Sequence, residues 1–282
     1  MNYFWFLVKV SRPRFWIYIF GPYIVGLIAG LGNSSELTNS QGTFAMYFLL
    51  PLNLLIYGIN DIFDYETDKL NPKKTDYEEL VTPEKRTKLW IVILALNTPF
   101  LLKAILFTNF AAAISAIAFL FFSIFYSAPP IRAKTKPFLD SAFNVLYVLP
   151  GVFGYSLVTG EFPPASVVIA GALWTAAMHA YSAIPDIEAD REAKLSTIAT
   201  VLGPTGTHIF CLAAYVGSAV LSHQYLGIVS IALGSVFVLT MLASMITHDR
   251  DGVFRIYRLF PFINAAAGFI LFWAIAIPKF LN

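Results

Sequence analysis

The 282-residue chain is 57% hydrophobic, carries charge on only 13% of its residues and has a mean hydropathy of +0.68. This composition excludes an ordinary soluble domain, so we expect a polytopic membrane protein. The formal net charge of +2 is too small to indicate a nucleic-acid partner. Because the chain has a single cysteine, Cys211, an internal disulfide and a thiolate metal cluster are excluded. Cys211 lies in an apolar stretch, so we expect it to pack as a small hydrophobic residue.

The chain begins with an aromatic and basic segment, MNYFWFLVKVSRPRFW, which favours an N-terminal helix at the membrane interface. Nine apolar segments follow, each close to the roughly 20 residues that a helix needs to cross about 30 Å of hydrocarbon. The predicted fold is therefore an all-α, polytopic membrane protein. The predicted spans are Phe15–Leu31, Phe44–Asn60, Leu89–Phe107, Phe110–Ala128, Ala142–Val158, Ser166–Pro185, Thr207–Leu221, Tyr225–Ile246 and Tyr257–Pro278.

Charged residues are distributed unevenly between the two sides of this predicted topology. All but two of the 19 lysines and arginines lie on one side, the exceptions being Lys103 and Lys279. The positive-inside rule makes that side cytoplasmic and places the N-terminus there. All but two of the 17 acidic residues lie on the same side, the exceptions being Glu36 and Glu161. We therefore expect a cytoplasmic-membrane protein whose active site faces the cytoplasm.

Four carboxylates crowd into the segment NDIFDYETD, residues 60–68, directly after the second predicted span. On a helix Asn60, Asp64 and Asp68 share one face, because residues four apart lie one above the other. A solvated acidic loop is the alternative interpretation.

A second acidic segment, DIEAD, follows the sixth predicted span and makes the loop interpretation less attractive. Asp186 and Asp190 repeat the four-residue spacing of the first motif. Because the second and sixth spans are four apart, we predict two parallel four-helix halves with a ninth span added.

Paired carboxylates of this kind suit Mg²⁺, which binds through a few carboxylates together with substrate phosphates. The implied ligand is a diphosphate. Basic and hydroxyl side chains near the first motif and after the fourth span could bind its oxygens, although the positive-inside bias alone would also place cations there. These residues are Lys69, Lys73, Lys74, Tyr126, Ser127, Arg132 and Lys134.

The two acidic motifs and the segment YSAPPIRAK resemble, in order and position, the signatures of the UbiA superfamily of intramembrane prenyltransferases. The resemblance covers nearly the whole chain and implies one membrane domain, residues 1–282, with a central lipid-accessible cavity. It implies Asp64, Asp68, Asp186 and Asp190 as catalytic residues. It also implies that Mg²⁺ and the substrate diphosphate are held by Asn60, Asp61, Asp64, Asp68, Asp186 and Asp190.

The segments SRPRFWIYIFGPYIVG and MHAYSAIPDIEADREA are most similar to the lycopene elongase branch of that family. The resemblance implies an isoprenoid diphosphate donor, dimethylallyl or longer, and a lipophilic acceptor, such as lycopene, that arrives through the membrane lipids. A quinone precursor or another lipid remains an alternative acceptor. No obligatory protein partner is evident.

Two further alternatives come from single features of the sequence. His179 lies two helical turns before Asp186 and is a candidate base, although a local hydrogen bond is the commoner role of such a histidine. Ionisable residues near membrane helices also occur in ion-coupled transporters. Transport sites tend toward the middle of the bilayer, however, whereas these acids cluster at helix ends.

Overall fold

The structure is a computed structural model that describes residues 2–33, 36–69, 79–247 and 250–280. The protein is 83% helical, and no strand occurs within these ranges, so the all-α prediction is confirmed. In chain order the α-helices are α1 (Tyr3–Val10), α2 (Ile17–Gly30), α3 (Asn39–Tyr47), α4 (Leu50–Phe63), α5 (Tyr65–Asp68), α6 (Pro83–Leu106), α7 (Phe110–Ser127), α8 (Leu139–Ala142), α9 (Leu149–Thr159), α10 (Ala165–Ala183), α11 (Ile187–Glu192), α12 (Ile198–Leu226), α13 (Ile228–Ile246) and α14 (Arg250–Phe280). Short 3₁₀ helices cover Pro13–Phe15, Ala133–Thr135 and Phe143–Tyr147.

The chain separates into two compact units. The first comprises Met1–Arg132 and Leu149–Phe162, and the second comprises Ala133–Val148 and Pro163–Asn282. This division differs from the predicted halves in one helix, because α9 belongs to the first unit although the sequence assigns it to the second half.

Seven helical segments among the described residues are long and apolar enough to cross a membrane. All nine predicted spans coincide with helices, but α2 and α10 are not among these seven, so the count of nine is not confirmed. Helix α2 has 14 residues and is about 21 Å long, shorter than the hydrocarbon layer. Helix α10 is long enough, but polar residues such as Thr175 and His179 lower its hydropathy.

In the first unit, α3 and α4 form one apolar span, Asn39–Phe63, that is interrupted before Pro51. The interruption frees backbone carbonyls, which are costly to leave unpaired away from water. Two buried amides satisfy them: Asn53 Nδ2 donates to the Phe48 and Leu49 oxygens at 3.2 and 2.7 Å. Asn97 Nδ2 donates to the Pro51 oxygen at 3.0 Å. These asparagines allow a broken helix within an apolar environment.

Helices α2 and α9 pack backbone against backbone in the same unit. A Cβ atom added to Gly26 would overlap the carbonyl oxygen of Gly151. A Cβ added to Gly154 would lie 2.5 Å from the Tyr23 oxygen and 2.9 Å from the Leu27 nitrogen. Small residues permit this approach, as they do at many helix contacts in membranes.

The second unit is organised around a buried hydrogen-bonded chain between α10, α12 and α13. The hydroxyl of Tyr181 donates to Ser244 Oγ at 3.1 Å, and Ser244 Oγ lies 3.0 Å from His208 Nε2. His208 Nδ1 lies 2.8 Å from the Pro204 carbonyl oxygen, which can only accept, so Nδ1 carries the proton and Nε2 accepts from Ser244. Cys211 is buried in this core, as the sequence predicts.

We expect Gly26→Ala to lower the free energy of unfolding by about 2 kcal/mol or more, because the new methyl group forces α2 away from α9. Thermal unfolding of the detergent-solubilised protein measures the effect. Gly42→Ala is the matched control, since Gly42 is exposed on α3 with open space around it and should gain up to about 1 kcal/mol. Equal melting temperatures for the two variants would contradict the close helix contact.

Candidate active site

The first acidic motif continues the helical hydrogen-bond pattern through a break in the helix. Helix α4 ends at Phe63, and α5 begins at Tyr65. The Asp64 amide donates to the Asn60 oxygen at 3.0 Å, and the Asp68 amide donates to the Asp64 oxygen at 2.8 Å. The sequence predicts one uninterrupted helical face. The structure instead breaks the helix at Asp64 while keeping the four-residue spacing of the backbone hydrogen bonds.

Two residues, one at the end of α7 and one shortly after it, lie against this motif. Asn60 Nδ2 donates to Ser127 Oγ at 2.9 Å, and Arg132 Nη2 lies 3.5 Å from Asp64 Oδ1. Asp64 is buried, whereas the Arg132 side chain is 43% exposed. The structure therefore brings together an amide, a carboxylate, a hydroxyl and a guanidinium that the sequence assigns to metal and diphosphate binding.

Asp61 makes a different contact from its neighbours in the motif. Arg12 Nη2 donates to Asp61 Oδ1 at 2.7 Å, and Asp61 is almost completely buried. Sequence analysis assigned no role to Arg12, which lies 49 residues earlier. The basic SRPR segment directly after the aromatic N-terminal helix indicates that Arg12 lies near the membrane surface, but nothing in the sequence indicates that it pairs with Asp61.

The other predicted residues of the first motif and the basic segments lie in several different elements. Asp68 is half-buried at the end of α5, Lys69 is exposed, and Tyr126 is half-buried near the end of α7. Lys134 lies in the 3₁₀ helix Ala133–Thr135, which belongs to the second unit. Lys73 and Lys74 lie outside the described residues.

The second acidic motif forms the start of α11 in the second unit. Asp186 directly precedes the helix and is exposed, and the Asp190 amide donates to the Asp186 oxygen at 2.8 Å. Burial and, after it, the Asp186 carboxylate raise the pKa of Asp190, while a hydrogen bond from Thr197 Oγ1 opposes the shift. A bound cation would stabilise both carboxylates in their charged form.

Asp140 is a buried carboxylate that sequence analysis left without a role. Its Oδ2 accepts from the Ile198 amide at 2.7 Å, and its Oδ1 accepts from the Ser141 amide at 2.9 Å. Ile198 is the first residue of α12, so Asp140 satisfies one of the amides that a helix leaves unpaired at its start. A contact across 58 residues has no local signature in the sequence.

His179 lies beside this anchor. Its Nε2 atom is 3.8 Å from Asp140 Oδ2, which is an electrostatic contact and too long for a hydrogen bond. The side chain is 20% exposed, and its charge, when protonated, favours the ionised form of Asp190. His179 therefore belongs to the electrostatic surroundings of the second motif, while its candidate role as a base stays a prediction.

The oxygen donors of both motifs fit Mg²⁺ by their chemistry. Within the described ranges no three histidine, cysteine, aspartate or glutamate side chains converge on a ready-made metal cage. Such a cage is not required, because Mg²⁺ keeps several waters and uses substrate phosphates as ligands. Burial and then the neighbouring Asp186 carboxylate disfavour the charged form of Asp190, and a divalent cation would offset both effects.

We expect Asp140→Ala to destabilise the second unit by about 2 kcal/mol, because the buried Ile198 and Ser141 amides lose their acceptor. Thermal unfolding in detergent gives the value. Glu192→Ala, which removes an exposed carboxylate from the same unit, is the control and should change stability by less than about 0.5 kcal/mol. Indistinguishable stabilities would exclude the anchoring role of Asp140.

The chain is similar to known proteins over most of its length. The chain is 37% identical to a lycopene elongase/hydratase of Haloarcula japonica, over 94% of this chain and 89% of that protein. It is 39% identical to a lycopene elongase/hydratase of Haloferax volcanii, over 94% and 87% of the two chains. A solved structure of a UbiA homologue from Archaeoglobus fulgidus, bound to GPP and Mg²⁺, has the same fold, with a TM-score of 0.69 at 20% identity over 96% of this chain and 99% of that one.

The sequence model of the UbiA prenyltransferase family matches residues 19–275, which is most of the chain. This match favours a multi-pass membrane prenyltransferase over the transporter alternative. It also agrees with the resemblance carried by the two acidic motifs. The chain therefore belongs to the UbiA prenyltransferase family.

Proposed function

We propose that this prenyltransferase transfers five-carbon units from an allylic isoprenoid diphosphate to the end of a carotenoid such as lycopene. The allylic C–O bond of the donor breaks, and the diphosphate departs as an anion. A π bond of the acceptor then attacks the allylic cation, and the new cation is resolved by loss of a proton or addition of water. A neutral alkene acceptor requires no deprotonated nucleophile.

The observation that best supports prenyl transfer is the grouping of four polar side chains within the first unit: Asn60, Ser127, Asp64 and Arg132. Arg132 is the group suited to the departing anion, because its guanidinium is partly exposed and lies 3.5 Å from Asp64 Oδ1 in the first motif. Ser127 orients the Asn60 amide through a 2.9 Å hydrogen bond. Lys73, Lys74, Tyr126 and Lys134 remain proposed diphosphate ligands on the basis of the sequence.

The proposed Mg²⁺ ligands are Asn60, Asp64 and Asp68 from the first motif and Asp186 and Asp190 from the second. When bound, Mg²⁺ neutralises charge on the diphosphate and so favours cleavage of the C–O bond. Arg132 adds a positive charge that remains in place throughout the reaction. In both motifs backbone hydrogen bonds join residues four apart: Asn60 with Asp64, Asp64 with Asp68, and Asp186 with Asp190.

Two observations support a carotenoid acceptor that enters from the bilayer. The relatives named above are lycopene elongase/hydratases, and the match extends over most of both chains. The first unit is also largely apolar outside the motif, as a donor cation that must be kept from water requires. We further propose that the whole chain works as one domain in the cytoplasmic membrane, with the motifs and the N-terminus on the cytoplasmic side.

We expect Asp64→Ala and Asp186→Ala to retain less than about a tenth of wild-type turnover, because each removes an oxygen ligand worth several kcal/mol in the transition state. Diphosphate release from dimethylallyl diphosphate, with a lipid extract and saturating Mg²⁺, gives the rate. Glu192→Ala is the control and should keep wild-type activity. If Asp64→Ala or Asp186→Ala, correctly inserted, keeps more than about a tenth of wild-type turnover, that residue is not part of the metal site.

Expression of the chain in a lycopene-producing host should convert part of the pigment into C45 and C50 products. Lycopene is too long and apolar to approach from water, so the bilayer is its route to the site. Mass spectrometry of extracted pigments reads the outcome, and Asp68→Ala is the inactive control. Unchanged lycopene together with a prenylated quinone precursor would overturn the carotenoid acceptor and leave prenyl transfer standing.

A further inference from the structure

We propose that Arg12 is a positioning residue for the first acidic motif, and that Asp61 is its anchor and not a ligand of Mg²⁺. Arg12 acts through the helix end that carries Asn60 and Asp64 and does not itself touch the donor. This inference rests on the proposed function, because the geometry that Arg12 sets is that of the proposed metal and diphosphate site.

The charge on Asp61 is compensated within the protein. Arg12 Nη2 lies 2.7 Å from Asp61 Oδ1, and the exposed fractions of the two side chains are 16% and 1%. A carboxylate removed so completely from water requires a closely held cation. The pair differs from Arg132 and Asp64, whose atoms are 3.5 Å apart and whose arginine is 43% exposed.

Arg12 contacts α4 at two successive turns. Its guanidinium carbon lies 4.9 Å from the centre of the Tyr57 ring, four residues before Asp61. The ring of Phe15 lies 5.8 Å from the same Tyr57 ring, so Tyr57 is in contact with two residues of the N-terminal segment. A side chain attached at both turns restricts rotation of α4 about its axis as well as sliding along it.

The backbone at Arg12 adds an independent observation. Its φ of +51° lies in the left-handed region, which is unfavourable for a residue with a Cβ atom. The turn is held by Trp16, whose indole nitrogen lies 3.1 Å from the Ser11 carbonyl oxygen and 3.2 Å from its hydroxyl. A conformation of this kind persists where surrounding contacts determine it and is commonest near functional sites.

Three neighbouring side chains of the motif therefore contact two parts of the first unit, the N-terminal segment and the region around the end of α7. Asn60 contacts Ser127, Asp61 contacts Arg12, and Asp64 contacts Arg132. On a helix Asp61 is turned about 100° from Asn60, so a fixed Asp61 also fixes the direction of its neighbour. If Arg12 is removed, the end of α4 loses the contact that sets this direction, and the ligand oxygens move from their productive positions.

The test compares Arg12→Gln, Asp61→Asn and the double variant with Arg14→Gln as the matched control. Arg14 is an exposed arginine two residues away, with its guanidinium stacked on Phe15. We expect each single variant to lose about ten-fold or more in kcat, because small displacements of a catalytic group have effects of this size. The double variant should be no worse than either single variant, since both disrupt one interaction. Arg14→Gln should retain wild-type kcat.

Two further readouts separate positioning from metal binding and from simple stability. The Mg²⁺ concentration at half-maximal rate should shift equally, and by no more than about two-fold, in Arg12→Gln and Asp61→Asn. The rise in melting temperature caused by Mg²⁺ with inorganic diphosphate should fall in both variants by the same amount. A large shift of the Mg²⁺ midpoint in Asp61→Asn alone would make Asp61 a ligand and overturn the proposal.

Arg12→Lys covers the case in which the uncharged variants do not fold. It keeps the positive charge but has no planar group to stack on Tyr57 and bind Asp61 together. We expect it to fold and to lose several-fold in kcat, and wild-type kcat in this variant would overturn the positioning role. A lower melting temperature with unchanged kcat in the other variants would also overturn it.

The proposed reaction and the positioning role can fail separately. If the wild-type protein releases no diphosphate from dimethylallyl diphosphate, the proposed reaction fails. The comparison of melting temperatures with and without Mg²⁺ and diphosphate still decides the role of Arg12 in that case, since it needs no turnover. A much larger loss of this thermal response in Asp61→Asn than in Arg12→Gln would make Asp61 a ligand and would then overturn the proposal.

Discussion

Charged groups at the end of an apolar helix need partners that the helix itself cannot supply. Helix α4 is buried along most of its length and ends in a run of carboxylates, and Asn60, Asp61 and Asp64 are each matched by a group from elsewhere in the first unit. The partners come from the N-terminal segment, from the last residue of α7 and from the residues that follow it. The need to satisfy polar groups away from water thus selects which segments gather around the motif.

The same requirement explains the polar residues found deep inside both units. Asn53 and Asn97 bind carbonyls at the interruption between α3 and α4, and Asp140 binds the amide that begins α12. Each places a hydrogen-bonding side chain where the backbone leaves regular helical geometry. Some buried polar residues therefore complete the backbone, whereas others form the proposed site or bind one another, as Tyr181, Ser244 and His208 do.

Hydrophobic length and the spacing of acids were enough to predict an all-helical membrane protein and the two motifs, because both are local properties of the chain. The grouping of Ser127 and Arg132 with the first motif was also predictable, through resemblance to a known family. The pairs Arg12 with Asp61 and Asp140 with Ile198 were not, because they join residues 49 and 58 positions apart. The break at Asp64 escaped prediction because an acidic helix end gives the same spacing with or without it.

The contact between Gly26 and Gly151 also affects how the first unit can move. Most helix contacts include side chains whose torsions let the gap widen in small steps, whereas here backbone atoms meet directly. Such a contact has few intermediate arrangements, because any separation of α2 from α9 breaks it along the whole length over which the two helices touch. Any opening of this unit would therefore take place at its other helix contacts, with α2 and α9 moving together as a single rigid pair.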